Sequence, residues 1–236
     1  MRIDGSIALV TGANRGLGRH LAQQLLDRGA AKVYAAARNP DSVDLDGVVP
    51  LGLDITDVAA VQAAADAARD VTLLVNNAGG YTPAGLLDAP LDDIRADMDT
   101  NFFGTLLVTR AFAPHLIANA PGAVLNVASV LAWVHPYRAG AYACSKAALW
   151  AQTDAVREAF APHSVTVTAL HVGYLDTDMT AAIEGPKSDP AAVAAAALDG
   201  VENGTIEVLA DQLTQHVKAQ LSADRGTAPQ PQGTPR

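Results

Sequence analysis

Short apolar runs alternate with amphipathic stretches along nearly the whole chain. Runs at 7–10, 32–37, 48–53, 71–75, 122–128 and 164–170 read as buried strands, and TIEVLA at 205–210 as a further short one. Between the first two, Leu17, Leu21 and Leu25 recur four apart with Ala22 and Leu26 beside them, which predicts an amphipathic helix ended by Gly29. Further helices are predicted at about 57–68, with Thr56 or Asp57 as N-cap, at 91–119 as one long bending element, and at 139–160, 190–201 and 211–222. This alternation predicts an α/β fold: one domain over 1–222, a doubly wound parallel sheet of about seven strands with helices on both faces. The last stretch, 223–236, is rich in Pro, Gly and Gln and reads as a disordered tail.

Composition narrows the function. Half of the 236 residues are hydrophobic and only 17% are charged, enough for a sizeable core. A net charge of −9 argues against a nucleic-acid partner, because phosphate binding wants a basic face. No apolar stretch approaches the roughly 20 residues of a membrane span, and the N-terminus lacks the pattern of a signal peptide. Cys144 is the single cysteine, which excludes an intramolecular disulfide and fits a reducing cytoplasm; it is expected to be a small core or interface residue. His115, His135 and His171 stand alone without metal-ligand spacing, so no metal site is predicted.

The first strand runs into TGANRGLG, 11–18, and the helix follows at once. Strand, glycine-rich turn and helix make a phosphate-binding start. The glycines let backbone approach a pyrophosphate, and the helix N-terminus offers free N–H groups at the positive end of its dipole. The second strand ends in Ala36, Ala37 and Arg38, with no carboxylate to bond a ribose 2′-hydroxyl. An arginine there accommodates a 2′-phosphate, and Arg15 adds a second positive charge, so the expected cofactor is NADP(H). The fourth strand runs into NNAGG, 76–80, whose small residues would let a cofactor lie close, although an ordinary turn uses the same residues.

The fifth strand delivers Ser129, and the helix after it carries Tyr142 and Lys146, four apart and therefore on one face. A lysine beside a tyrosine favours the phenolate and would lower its pKa from about 10 toward the working range. A serine hydroxyl can bond the carbonyl oxygen that such a tyrosine protonates. Asn101 lies among apolar neighbours in the long helix and, if buried, needs a partner. Tyr81, Trp133, His135, Tyr137 and Tyr174 either line an apolar substrate pocket or pack in the ordinary way.

Together these stretches resemble the short-chain dehydrogenases/reductases over roughly residues 4–180. TGANRGLG is similar to that family's cofactor turn, and NNAG at 76–79 to the signature after its fourth strand. The resemblance implies a Rossmann fold and an NADP-preferring oxidoreductase of the carbonyl reductase type, moving hydride between nicotinamide and a ketone, aldehyde or alcohol. It implies a catalytic tetrad of Asn101, Ser129, Tyr142 and Lys146. Tyr142 would protonate the carbonyl oxygen and Ser129 orient it. Lys146 would lower the tyrosine pKa and hold the nicotinamide ribose, and Asn101 would position a water relaying protons to Lys146. Implied cofactor contacts are Gly12, Asn14, Arg15, Gly16, Leu17 and Gly18, then Arg38, Asp54 and Ile55, then Asn77, Ala78 and Gly79. Tyr142 and Lys146 also belong to them, as do Gly173, Thr177 and Met179. A homodimer or homotetramer packed through long helices is implied as well.

Two departures stand out. Val172-Gly173 replaces the family's usual Pro-Gly, and the segment from Met179 to Asp189 is short for a substrate lid, with an unusual C-terminus after it. A catalytically silent nucleotide sensor or scaffold of the same fold is the alternative, but it would be expected to lose the Tyr or Lys that this chain keeps. An epimerase or dehydratase on nucleotide sugars would need a larger C-terminal substrate domain.

Overall fold

The computed structural model describes residues 1–83 and 85–222, so the expected tail at 223–236 lies outside the described residues. Seven strands form one wholly parallel sheet: β1 (Ile7–Thr11), β2 (Lys32–Ala37), β3 (Val49–Gly52), β4 (Leu73–Asn76), β5 (Gly122–Val127), β6 (Val165–His171) and β7 (Glu207–Leu209). Their order is β3-β2-β1-β4-β5-β6-β7. The winding reverses between β1 and β4, which opens a crevice at their carboxyl ends, where open α/β sheets bind ligands. The helices are α1 (Gly16–Asp27), α2 (Val58–Ala67), α3 (Leu91–Met98), α4 (Thr105–Ala118), α5 (Gly140–Phe160), α6 (Pro190–Asn203) and α7 (Gln212–Ala219).

Alternate residues of each central strand feed two separate cores. On one face Ala8 and Val10 of β1 and Leu73 and Val75 of β4 pack against Leu21 and Leu25 of α1 and Val193 and Ala197 of α6. On the other, Leu9 and Leu74 meet Val61 of α2, Phe112 of α4 and Phe160 of α5. Burial on both faces is why these strands read as continuous apolar runs. The edges differ. β3 is largely exposed, and both β3 and β7 are shorter than their apolar runs predict, because an edge strand has a neighbour on one side only.

The long bending helix predicted at 91–119 is present as one continuous helical run, 91–118. A wider π turn, Asp99–Gly104, joins α3 to α4 and contains Asn101. Such turns are frequent at functional sites. At α2 the choice of caps resolves to Asp57, whose carboxylate accepts the N–H groups of Ala59 and Ala60. Among the described residues no helix is long and apolar enough to cross a membrane.

Candidate active site

A cavity of about 870 Å³ opens over the carboxyl ends of the central strands, within the size range of ligand pockets. Its floor is the glycine turn between β1 and α1. Gly12 and Gly16 have φ of +65° and +52°, a region side chains rarely adopt. Gly18 has a different reason: a Cβ there would fall 2.2 Å from the Gly12 carbonyl oxygen. The first turn of α1 has neither an acidic residue nor a side-chain cap, so its N–H groups remain available to an anion. The turn is braced from β4. Asn77 Nδ2 donates to the carbonyls of Thr11 and Gly12 at 2.9 and 3.1 Å, and Thr11 Oγ1 accepts the N–H groups of Asn77 and Ala78. NNAGG is thus more than a turn. Asn76 is buried and donates to Asn126 Oδ1 at 2.8 Å and to Thr109, tying β4 to β5 and α4.

At the far end of the cavity Arg38 is exposed at the end of β2. Asp54 accepts the N–H and hydroxyl of Thr56 at 2.9 and 2.7 Å. Those bonds, with Arg38 as a lesser cause, hold its carboxyl below the usual range. Arg15 Nη1 lies 3.5 Å from Asp178, and both side chains are well exposed, so the pair is weak. The residues present fit a dinucleotide: a close backbone approach at the glycines, free N–H groups at α1 and two arginines at the adenosine end.

Ser129 sits just past β5, and its hydroxyl caps the short 3-10 turn Val130–Ala132 by accepting the Leu131 N–H at 3.1 Å. Tyr142 faces it from α5 with its ring edge-on to Tyr81, centroids 5.3 Å apart. Lys146 is buried, donates to the Val127 carbonyl at 2.9 Å, and lies 5.6 Å from the Tyr142 ring centroid. Here the structure corrects an expectation. Burial raises the Tyr142 pKa well above its ordinary value, only partly offset by a hydrogen bond with Ser129, and Lys146 is not among its causes. Burial also lowers Lys146 to about 8, against the pull of Asp97. Lys146 is turned to the Val127 carbonyl in this arrangement.

Asn101 is fully buried, as its apolar surroundings suggest, and its side chain is occupied. Nδ2 donates to the Gly80 carbonyl and Ser145 Oγ, each at 2.9 Å, and Oδ1 accepts the Gly80 N–H at 3.0 Å. It does not line the cavity, whereas every other residue named for the tetrad and the cofactor does. Gly173 donates its N–H to Asp211 at 2.6 Å, and Thr177 and Met179 follow on a loop pinned at its base by Ser188 N–H to the Tyr174 carbonyl, 2.8 Å. Of the aromatic candidates, Tyr81 and Tyr174 line the cavity. Trp133 is instead buried in a small core with Val130 and Ala132, and His135 and Tyr137 are exposed. Cys144 is exposed on α5 rather than in the core. Among the described residues no cluster of His, Cys, Asp or Glu could hold a metal ion.

Sequence reading missed Thr11, Asp97 and Asp211, and weighed His171 only as a metal ligand. Thr11 opens the glycine motif, which is a usable signal. Asp97 is one turn before Asn101, 1% exposed and bonded by Thr82, yet nothing in a run of charged residues marks it as buried.

The short chain dehydrogenase family profile matches residues 6–187. The chain belongs to this family. A crystal structure of a short chain dehydrogenase from Burkholderia cenocepacia in complex with NADP superposes with a TM-score of 0.92 at 41% identity, covering 95% of this chain and 96% of that one. The 3-oxoacyl-acyl-carrier-protein reductase FabG of Vibrio harveyi is 32% identical over 78% of this chain and 79% of its own. A 1-deoxy-11-beta-hydroxypentalenate dehydrogenase of Streptomyces avermitilis is 31% identical over 95% of this chain and 84% of its own. Membership makes this an enzyme of a dehydrogenase/reductase family, with the family's Rossmann architecture.

Proposed function

We propose that this short chain dehydrogenase is an NADP(H)-dependent reductase of uncharged, largely apolar ketones or aldehydes. The observation that carries the reading is that Ser129, Tyr142 and Lys146 share one cavity with the glycine turn and with Arg15 and Arg38. Gly12, Gly16, Gly18 and the N-terminus of α1 would hold the pyrophosphate. Arg38 and Arg15 would take the 2′-phosphate, a role supported by the NADP bound to the Burkholderia relative. When bound, NADP(H) supplies the hydride chemistry. The chain supplies the proton and the orientation. Tyr142, held protonated by burial, donates to the carbonyl oxygen while the Ser129 hydroxyl orients that oxygen. Such proton transfer contributes roughly 10²–10⁴-fold. The substrate half of the cavity is lined by Leu131, Val134, Tyr174, Ile183 and Leu213, without a lysine or arginine among the described residues there to receive a phosphate or carboxylate. Exposed Phe103 and Ile117 on and beside α4 support packing into a homodimer or homotetramer.

The test is cofactor oxidation, followed by absorbance, against a panel of apolar, sugar and phosphorylated carbonyls with NADPH and NADH in parallel. Turnover of apolar carbonyls with NADPH well above NADH is expected, and Arg38→Ala should narrow that preference. NADPH binding with no turnover on any carbonyl would favour a silent sensor. A preference for NADH would leave both arginines without a part in the choice of cofactor.

A further inference from the structure

The wall behind Ser129 holds a cluster that the mechanism above does not use. His171, the last residue of β6, is fully buried, and its Nδ1 lies 3.1 Å from the Ser129 carbonyl oxygen. A carbonyl only accepts, so Nδ1 carries the proton and Nε2 is the bare nitrogen. Nε2 is buried without a hydrogen-bond partner, and Glu207 Oε1 of β7 stands 3.6 Å from it. Trp133 stacks on the imidazole, centroids 3.9 Å apart at 21°. Glu207 accepts the Trp150 indole N–H at 2.8 Å and pairs with Lys218 of α7 at 2.5 Å. The Lys218 ammonium lies over both indoles, 4.8 and 5.1 Å from their centroids.

An apolar ring would fill this space without leaving a buried acceptor unpaired, so the imidazole needs another justification. What only it provides is the bond to Ser129. The Ser129 carbonyl also accepts the Ala132 N–H at 3.1 Å, so with His171 it has two donors and its peptide is fixed from both sides. The same helix reaches the site at its other end. Asp211, the N-cap of α7, takes the Gly173 N–H, and Leu213 lines the cavity. α7 is therefore fastened near both of its ends, by Asp211 to Gly173 after β6 and by Lys218 to Glu207, the first residue of β7.

We propose that His171 is a positioning residue for Ser129, and that Lys218 of α7 holds it in place through the Trp133 ring, which the ammonium lies over and which stacks on the imidazole, so that the C-terminal helix is a working part of the active site. The proposal rests on the reductase reading above for its catalytic consequence. Its structural consequence is independent of any substrate.

The test compares the full chain with His171→Phe, which keeps a stacking ring but loses the donor, His171→Asn, which restores a donor near Nδ1, and Lys218→Met. Backbone hydrogen exchange is read at 129–133 and, as a reference, in β1 and β4. kcat and KM are read on the best carbonyl of the panel. His171→Phe should speed exchange at 129–133 and lower kcat on the order of tenfold, with KM for NADPH unchanged. His171→Asn should recover most of the loss, and Lys218→Met should move both readouts in the same direction by less. Unchanged exchange at 129–133 in His171→Phe, or equal loosening of β1 and β4, would overturn the proposal, whether or not any carbonyl turns over. Should His171→Phe fail to fold, Lys218→Met decides: wild-type exchange at 129–133 in that variant is equally fatal. A wild-type enzyme inert toward every carbonyl defeats only the preceding reading.

Discussion

Tyr142 and Lys146 sit one turn apart on α5, and burial acts on them in opposite directions. Each neutral form is the one favoured away from water. The phenol is therefore held protonated, and the ammonium is pushed toward neutrality at about 8. A protonated phenol is the form that can give a proton to a carbonyl oxygen. Tyr142→Phe removes that proton and little volume. Its kcat should fall by roughly 10²-fold or more with NADPH affinity unchanged, measured by steady-state kinetics beside a cofactor titration. Retained turnover would remove Tyr142 from its role. The spacing of Tyr142 and Lys146 was legible in the sequence. The direction of the tyrosine shift was not, because desolvation depends on what the fold packs around the ring, here Tyr81 and the apolar wall of the cavity.

Among the elements, the glycine turn behaves as one unit with the turn after β4. Asn77 fastens them together through the Thr11 and Gly12 carbonyls, and Gly18 leaves room for that contact: a Cβ there would also fall 2.5 Å from Asn77 Nδ2. Gly18→Ala should therefore displace the turn itself. NADPH affinity should drop by about tenfold or more, while far-ultraviolet circular dichroism stays that of the wild type; equal affinity would mean that the turn absorbs the methyl without moving. The order strand, glycine turn, helix was readable from local pattern. The π turn inside the long helix at Asp99–Gly104 was not. Its apolar residues run on through the turn, and what shapes it is tertiary: Asn101 reaching Gly80 and Ser145, and Gly104 packed so near Ile55 that a Cβ would come within 2.9 Å.

Across the molecule, one of the links that join the C-terminal elements to the catalytic wall is a histidine. Burial lowers His171 to about 4, against opposing pulls from the Ser129 carbonyl, Glu207 and Asp154, with Lys218 adding to the fall. The unfolded chain binds that proton near the ordinary value of about 6.5. The contribution of His171 to stability is therefore complete above about 6.5 and is lost as pH falls through about 4. Thermal midpoints of the wild type should decline over that window, and His171→Phe should flatten part of the decline. Parallel profiles for the two proteins would show that other groups carry the acid sensitivity.

Periodicity and short-range spacing were enough to set the kinds of elements, their order, the two-faced burial of the central strands and the local placement of Ser129, Tyr142 and Lys146. A single stretch of chain contains all that such patterns need. Which residues meet across the sheet is a property of the folded molecule alone. Asn76 finds Asn126 because β4 and β5 are neighbours, His171 finds Ser129 and Glu207 because β6 lies between β5 and β7, and Trp133 leaves the substrate pocket for a core built by α5 and α7. Such pairings join residues far apart in the chain, and their chemistry comes from burial and contact, which exist only once the sheet has ordered its strands.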